Sequence, residues 1–306
     1  MVDMKVKLGN STLRNPVVLA AGTCGVLGEI ADAIDLSMIG GITSKSITFE
    51  PRVGNEPLRM LELPKGMINA IGLANGGIEA FIKNHASKAT AIDTTVIGSV
   101  AGDTIEQYVA VAKAMDQVDG IELVEINVSC PNTVDGLEFG TCPKQLSTLL
   151  QEIKPVLSQS GMIVKLSAAP GDIRPHAEVA VECGADALTL INTIPAMSID
   201  VETGGSSISR KIGGMSGQAI HPIAVRIVHE VFQDITKDTD IPIIGTGGVM
   251  CWQDAAEFVL AGATAIGIGT ALFVDPTIAT KTSKKLEKWV TQQGCGSISE
   301  LVGAMK

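Results

Sequence analysis

The stretch Ile121-Glu122-Leu123-Val124-Glu125-Ile126-Asn127-Val128-Ser129-Cys130-Pro131-Asn132 decides how the rest of the chain is read. Residues 121–128 form an apolar, branched run, the composition of a strand buried on both faces. Proline cannot continue a sheet ladder, so at Pro131 the strand has stopped and the chain turns outward. Cys130 is thereby set between two amides, Asn127 and Asn132, at a strand's carboxyl end. Parallel α/β proteins bind their ligands there. A cysteine inside an apolar run is otherwise a small core hydrophobe. The turn and the flanking amides favour a thiol that faces a ligand.

Outward from this strand the pattern repeats. Upstream, Thr94 to Ser99 reads as a strand between helices Gly77 to Lys88 and Thr104 to Met115. Downstream, helix Lys144 to Leu157 precedes strand Met162 to Leu166, and helix Pro175 to Cys183 precedes strand Ala187 to Ile191. Helix Gln218 to Phe232 then leads to strand Pro242 to Gly245. Helix Trp252 to Leu260 leads to strand Ala265 to Ile268, and helix Ile278 to Thr291 with a short helix near Ser299 to Met305 closes the chain. With Val17 to Ala21 and Ile39 to Thr43 at the front, eight strands alternate with helices. This predicts α/β class: one closed (β/α)8 TIM barrel spanning residues 1–306 as a single domain. A turn at Gly9-Asn10 predicts a short N-terminal hairpin. The alternative is an open doubly wound sheet. No G-x-G-x-x-G follows the first strand and no G-x-x-x-x-G-K-[ST] occurs, which argues against a Rossmann site or an NTPase loop.

Two long connections interrupt this rhythm, Ile47 to Gly72 and Asn192 to Ser216. Loops of such length in a compact domain are functional or disordered. Met67 to Gly72 is too apolar for disorder, so the first is read as a lid or pocket wall.

Of the 306 residues, 45% are hydrophobic and only 3% aromatic, so aliphatic side chains must fill the core. A formal charge of −10 without basic runs argues against nucleic acid or an anionic membrane as partner. No segment reads as a signal peptide or membrane span. The cysteines at 24, 130, 142, 183, 251 and 295 form no C-x-x-C pair, so neither zinc nor an iron–sulfur cluster is indicated on this chain. Scattered thiols fit a reducing cytoplasm. His85, His176, His221 and His229 are read as surface or capping residues on helices.

Gly245-Thr246-Gly247-Gly248 and Gly267-Ile268-Gly269-Thr270 end the last two strands. Glycines let backbone amides approach a phosphate, and barrels often hold phosphate after these two strands. Lys45 follows the second strand and Lys165 lies inside the fifth. A lysine within Met162-Ile163-Val164-Lys165-Leu166 points into the barrel and needs an anionic or electron-rich partner. Both lysines suit a flavin, whose N1–C2 region gains negative charge on reduction. Asn69, Asn127, Asn132 and the pair Asn192-Thr193 offer donors and acceptors for an imide or carboxylate ligand.

These residues also carry a resemblance. Lys45-Ser46, Met67-Ile68-Asn69-Ala70-Ile71-Gly72-Leu73, Asn127 to Asn132, Ile191-Asn192-Thr193, Gly213-Gly214-Met215-Ser216-Gly217 and the terminal glycine segments resemble class 1 dihydroorotate dehydrogenases over nearly the whole chain. Asn69-Ala70-Ile71-Gly72-Leu73 and the run from Gly213 to Pro222 are most similar to the catalytic subunit of the NAD-linked class 1B enzyme. The resemblance implies one FMN, with its phosphate on Gly217, Gly247, Gly248, Gly269 and Thr270. Ala21, Gly22, Ser46, Ser99 and Ile191 would flank the ring, with Lys45, Lys165 and Asn127 at its polar edge. It implies that (S)-dihydroorotate is held by Lys45, Asn69, Ala70, Ile71, Gly72, Leu73, Asn127, Asn132, Asn192 and Thr193. Cys130, as thiolate, would take the C5 proton while the C6 hydride goes to flavin N5. A free thiol titrates near pH 8.5, so activity should rise into mildly alkaline pH. The loop from Pro131 to Pro143 would cover the substrate.

The class 1B likeness further implies a partner subunit carrying FAD and a [2Fe–2S] cluster that passes electrons to NAD+, and a dimer of this chain within a heterotetramer. Three positions depart from the family's usual pattern. Ala74-Asn75-Gly76-Gly77 replaces Gln-Asn-Pro-Gly, Cys142 replaces an acid, and Ser99 stands where Asn is commoner. The rival readings are a fumarate-linked class 1A enzyme, a dihydropyrimidine dehydrogenase-like reductase, and a non-catalytic barrel that binds a phosphorylated ligand.

Overall fold

The computed structural model describes residues 2–129 and 139–306. β1 (Val6–Leu8) and β2 (Ser11–Leu13) pair antiparallel around Gly9, whose φ of 53° is the left-handed value the turn requires. Leu8 and Leu13 from this hairpin are wholly buried. β3 (Val17–Leu19) and β4 (Gly41–Thr43) follow, then β5 (Met60–Leu63) and β6 (Gly66–Asn69). β7 (Thr95–Val100), β8 (Ile121–Asn127), β9 (Gly161–Leu166) and β10 (Ala187–Leu190) are the long central strands. β11 (Ile194–Ala196) and β12 (Gly213–Ser216) precede β13 (Ile243–Thr246) and β14 (Ala265–Ile268).

β3, β4, β7, β8, β9, β10, β13 and β14 close into a barrel in sequence order, every pair parallel. The eight-stranded (β/α)8 barrel read from the alternation of strands and helices is the fold observed. Helices Ile105–Asp116, Pro143–Ile153, Arg174–Glu182, His221–Val231, Trp252–Ala261 and Ile278–Gln292 form the outer ring. Their apolar stripes, such as Leu146, Leu149, Leu150 and Ile153, are fully buried against the strands.

The two long connections are not irregular loops. β5, β6, β11 and β12 form a four-stranded antiparallel sheet in the order β11-β12-β6-β5, with Gly214 opposite Asn69 and Ser216 opposite Met67. This cap sheet has its own small core of Ile68, Ala70 and Ile208. It stands over the carboxyl ends of the barrel strands, the place the lid reading had given to residues 47–72.

The histidines are a correction. His176 and His221 are buried, not surface groups. His221 packs edge-on against Phe258, with ring centroids 5.0 Å apart, as the aromatic quadrupole favours.

One buried carboxylate holds the amino-terminal end of the barrel together. Asp116 ends the helix Ile105–Asp116 and accepts from Ser158 N (3.0 Å), Ser158 Oγ (2.8 Å), Gln159 N (3.0 Å) and Ser160 N (2.8 Å). Burial works to raise its pKa, but the amides of Ser160, Gln159 and Ser158 outweigh it and hold the carboxyl below its ordinary value. Asp116→Asn replaces an acceptor-only group by one that turns an NH2 towards these donors. It should cost about 2–3 kcal/mol in urea unfolding at pH 7. Because the folded value lies below the unfolded one, this contribution is complete above about pH 4 and is lost as pH falls further. The gap between wild type and variant should therefore narrow below pH 4.

Candidate active site

The cleft between barrel mouth and cap sheet holds a cavity of about 120 Å3. It begins with glycines. Gly217, after β12, has φ 94°, and a Cβ there would lie 2.5 Å from Gly66 Cα. Gly248, after β13, has φ 69°, and its Cβ would meet Gly217 O at 2.7 Å and His221 Cβ at 2.8 Å. The ends of β12 and β13 are thus packed backbone to backbone. His221 donates from Nδ1 to Gly247 O at 2.9 Å and so braces this turn. Gly269 differs: a Cβ there would touch only Ala20 and Thr23, at 3.6 and 3.7 Å, and would stand in the cleft itself. Thr270 Oγ1 donates to Ser216 Oγ at 2.8 Å, tying the end of β14 to the cap sheet.

The polar wall comes from the inner faces of β7 to β10. Asn192 Nδ2 donates to Asn127 Oδ1 (3.0 Å), and Asn127 Nδ2 donates to Ser46 Oγ (3.1 Å). Ser46 Oγ lies 2.9 Å from Ser99 Oγ, which in turn lies 3.4 Å from Glu125 Oε1. Asn69, on β6, donates to Gly214 O at 3.2 Å from the cap side. Lys165 is buried and its Nζ lies 3.6 Å from Glu125 Oε1. Lys45 Nζ would be 3.8 Å from a Cβ placed on Gly22. Burial, then the like charge of Lys165, hold the Lys45 ammonium below the ordinary lysine range.

Of the residues expected at a ligand, Asn69, Ile71, Lys165, Ile191, Asn192, Thr193, Gly217, Gly247, Gly248, Gly269 and Thr270 line the cleft. Ser46, Ser99 and Asn127 stand behind its wall, joined to it through the Asn192 amide. Ala21, Gly22 and Lys45 lie at the ends of β3 and β4. Ala70 turns into the cap-sheet core, and Gly72 backs onto Asn55, 2.7 Å from where its Cβ would be. Leu73 follows it with φ 53°. Cys130 and Asn132 lie outside the described residues, as do positions 131–138 of the covering loop.

The ends of that loop are described. Ser129 N donates to Asn127 Oδ1 at 3.3 Å. On the return, Phe139 packs edge-on against Tyr108, whose hydroxyl donates to Asn127 O at 2.8 Å, and a Cβ on Gly140 would lie 2.6 Å from Val128 O. The chain leaves and re-enters beside Asn127. Thr189 has no place among the sequence expectations and Glu125 none as a site residue, while Thr246 stands there only within a glycine segment and His221 only as a surface or capping group. Glu125 was findable: it shares the period-two face of β8 with Asn127.

The donor set suits an anionic, planar, phosphorylated ligand such as FMN. The turns at Gly217 and Gly248, which admit no Cβ, share this lining with the apolar side chains of Met67, Ile71 and Ile191 and with Lys165. Thr246 Oγ1, in the lining, is buried without a partner among the described residues.

Fold and cleft define the class: a (β/α)8 barrel with an anion-accepting site at the carboxyl ends of its strands. A family model described as dihydroorotate dehydrogenase matches residues 3–290. The chain is 43% identical over 307 residues to the dihydroorotate dehydrogenase B (NAD(+)) catalytic subunit of Bacteroides fragilis, covering 100% of both. It is 42% identical to the protein of the same name from Desulforudis audaxviator, covering 99% of this chain and 97% of that one. A crystal structure of the Eimeria tenella enzyme with ferulenol superposes with a TM-score of 0.83 at 19% identity, covering 99% of this chain and 88% of that one, a likeness of fold. The chain belongs to the dihydroorotate dehydrogenase family.

Proposed function

We propose that this chain is the catalytic subunit of an NAD-linked dihydroorotate dehydrogenase, oxidising (S)-dihydroorotate to orotate for pyrimidine synthesis. The meeting of the glycine turn, the amides of Asn69 and Asn192 and the Lys165 ammonium in one cleft, with Asn127 bonded to Asn192 behind its wall, carries this reading. The names of relatives matched end to end support it. Bound FMN supplies the acceptor for the two electrons that leave with the C6 hydrogen. The protein's part is to orient the substrate and to move one proton. Asn69, Asn192 and Thr193 face the substrate side and match the amide and carboxylate edges of a dihydropyrimidine. Asn127 is held by three neighbours (Ser46, Ser129 and Asn192), so its amide is fixed before substrate arrives. Cys130 takes the C5 proton as thiolate, and the covering loop excludes water.

A catalytic subunit named as such has a companion, and here its chemistry is an FAD and [2Fe–2S] flavoprotein that hands electrons to NAD+, assembled with a dimer of this chain into a heterotetramer. Among the described residues no helix is long and apolar enough to cross a membrane. Cys24, Cys142, Cys183, Cys251 and Cys295 are all free thiols, which fits a cytoplasmic site of action.

Turnover assays test the assignment. The purified chain with FMN should oxidise dihydroorotate when given an artificial acceptor, and should reduce NAD+ only after the iron–sulfur partner is added. Sustained fumarate reduction by the lone chain would place it in the class 1A group instead.

A further inference from the structure

The buried acid of the barrel interior has no part in the reaction described above. Glu125 is 3% exposed and Lys165 is 6% exposed, on neighbouring strands. An acid and a base on adjacent inner faces are each costly alone, and their pairing is what permits both. Among the described residues the polar partners of the Glu125 carboxylate are all donors: Thr189 Oγ1 at 3.0 Å on Oε2, Ser99 Oγ at 3.4 Å on Oε1, and Lys165 Nζ at 3.6 Å on Oε1. The amide of Asn192 donates to Asn127 and that of Asn127 to Ser46, so the Ser46 hydroxyl is left to donate to Ser99 and Ser99 to Glu125. Glu125 is thus the terminal acceptor of a chain of donors that begins in the cleft. Lys165 lines that cleft with its other side.

We propose that Glu125 is a positioning residue that acts through Lys165, keeping its ammonium charged and aimed at the polar edge of the bound flavin. This rests on the FMN site proposed above. Counting Lys45, Lys165 and Glu125 as charged, the buried set carries one net positive charge, which complements an anionic reduced ring without leaving two unpaired cations behind when the ring is neutral. Remove the carboxylate and Lys165 is a buried ammonium beside Lys45 with no counter-ion, a state relieved by losing the proton or turning away. The reduced cofactor would then lose its stabilising charge, while the oxidised cofactor would be held nearly as before.

The test is the midpoint potential of FMN bound to the holoprotein, measured spectrally against dyes of known potential. Glu125→Gln keeps the shape and removes the charge. It should weaken binding of reduced relative to oxidised FMN at least tenfold, a fall of about 30 mV for a two-electron couple. Lys165→Met should lower the potential by a similar amount. Adding Glu125→Gln to Lys165→Met should change the ratio less than twofold, because the acid's influence runs through the lysine. A merely structural Glu125 would weaken both redox states alike and leave the potential unmoved, which overturns the proposal. Should Glu125→Gln fail to fold, Lys165→Met is compared with the double variant. A tenfold difference between them shows Glu125 acting on the cofactor directly and overturns it equally. Wild-type protein that binds no FMN removes the site reading itself, whereas a flavin-loaded wild type with an unmoved Glu125→Gln potential removes only this role.

Discussion

Cys130→Ala should purify with its flavin and lose about 10²–10⁴-fold of dihydroorotate turnover, the range carried by a positioned general base. The turns at Gly217, Gly247 and Gly248 follow β12 and β13, strands other than β8, so the change leaves them untouched. The stretch that bears Cys130 leaves β8 at Ser129 and returns at Phe139, both pinned to Asn127 or its strand. Cys24 cannot take over. Cys24 follows Thr23 at the cleft but is buried against Thr43 O at 3.4 Å. Burial, helped by the charge of Glu29, pushes its thiol up to about 12, so it is not a base at neutral pH. Cys24→Ser should leave the rate within about twofold of wild type, because that group touches no substrate. Steady-state assays of the two variants at matched flavin content separate these outcomes.

Gly248→Ala should lower FMN affinity about 10- to 100-fold. Two effects act there. A φ of 69° strains any residue with a Cβ by about 1–3 kcal/mol, a cost in stability that free and flavin-bound protein share. The new methyl would also lie 2.7 Å from Gly217 O and 2.8 Å from His221 Cβ, so the turn must open to admit it. Each 1.4 kcal/mol is a factor of ten in affinity. Gly171→Ala is the matched control: its φ is 83°, but nothing lies within 4 Å of the added methyl. That variant should lose a little stability and bind FMN as wild type does. Fluorescence titration of apo-protein with FMN measures both.

The barrel is legible because each of its strands is a local apolar run ended by glycine, proline or a polar turn, and because helices of 3.6 periodicity separate most of them, β3 and β4 being joined by short 3-10 turns. The cap sheet is not local. Asn69 and Gly214 bond across 145 residues of sequence, and β11 contains Pro195 while β12 contains two consecutive glycines. Neither segment looks like a strand until its partner is beside it. The glycines and amides of the cleft were legible from their place at strand ends. Ala70 and Gly72 were not, because their direction is set by the cap-sheet core and by Asn55. His221 was misplaced for a related reason. A histidine opening a helix reads as exposed, and only the fold brings Phe258 and Gly247 against it. Glu125 shows a different gap: its place beside the inward Lys165 comes from the pairing of β8 with β9, which neither strand's own residues display.

The central claim is that one cleft holds a flavin beside the groups that recognise and deprotonate dihydroorotate. Anaerobic mixing of the purified flavin-loaded chain with dihydroorotate, followed by absorbance in the flavin band, tests it without any electron acceptor or partner. The account predicts full loss of the band with dihydroorotate and none on the same timescale with dihydrouracil, which lacks the carboxylate. Purified protein without flavin, or a band that persists in dihydroorotate while dihydrouracil discharges it, would contradict it.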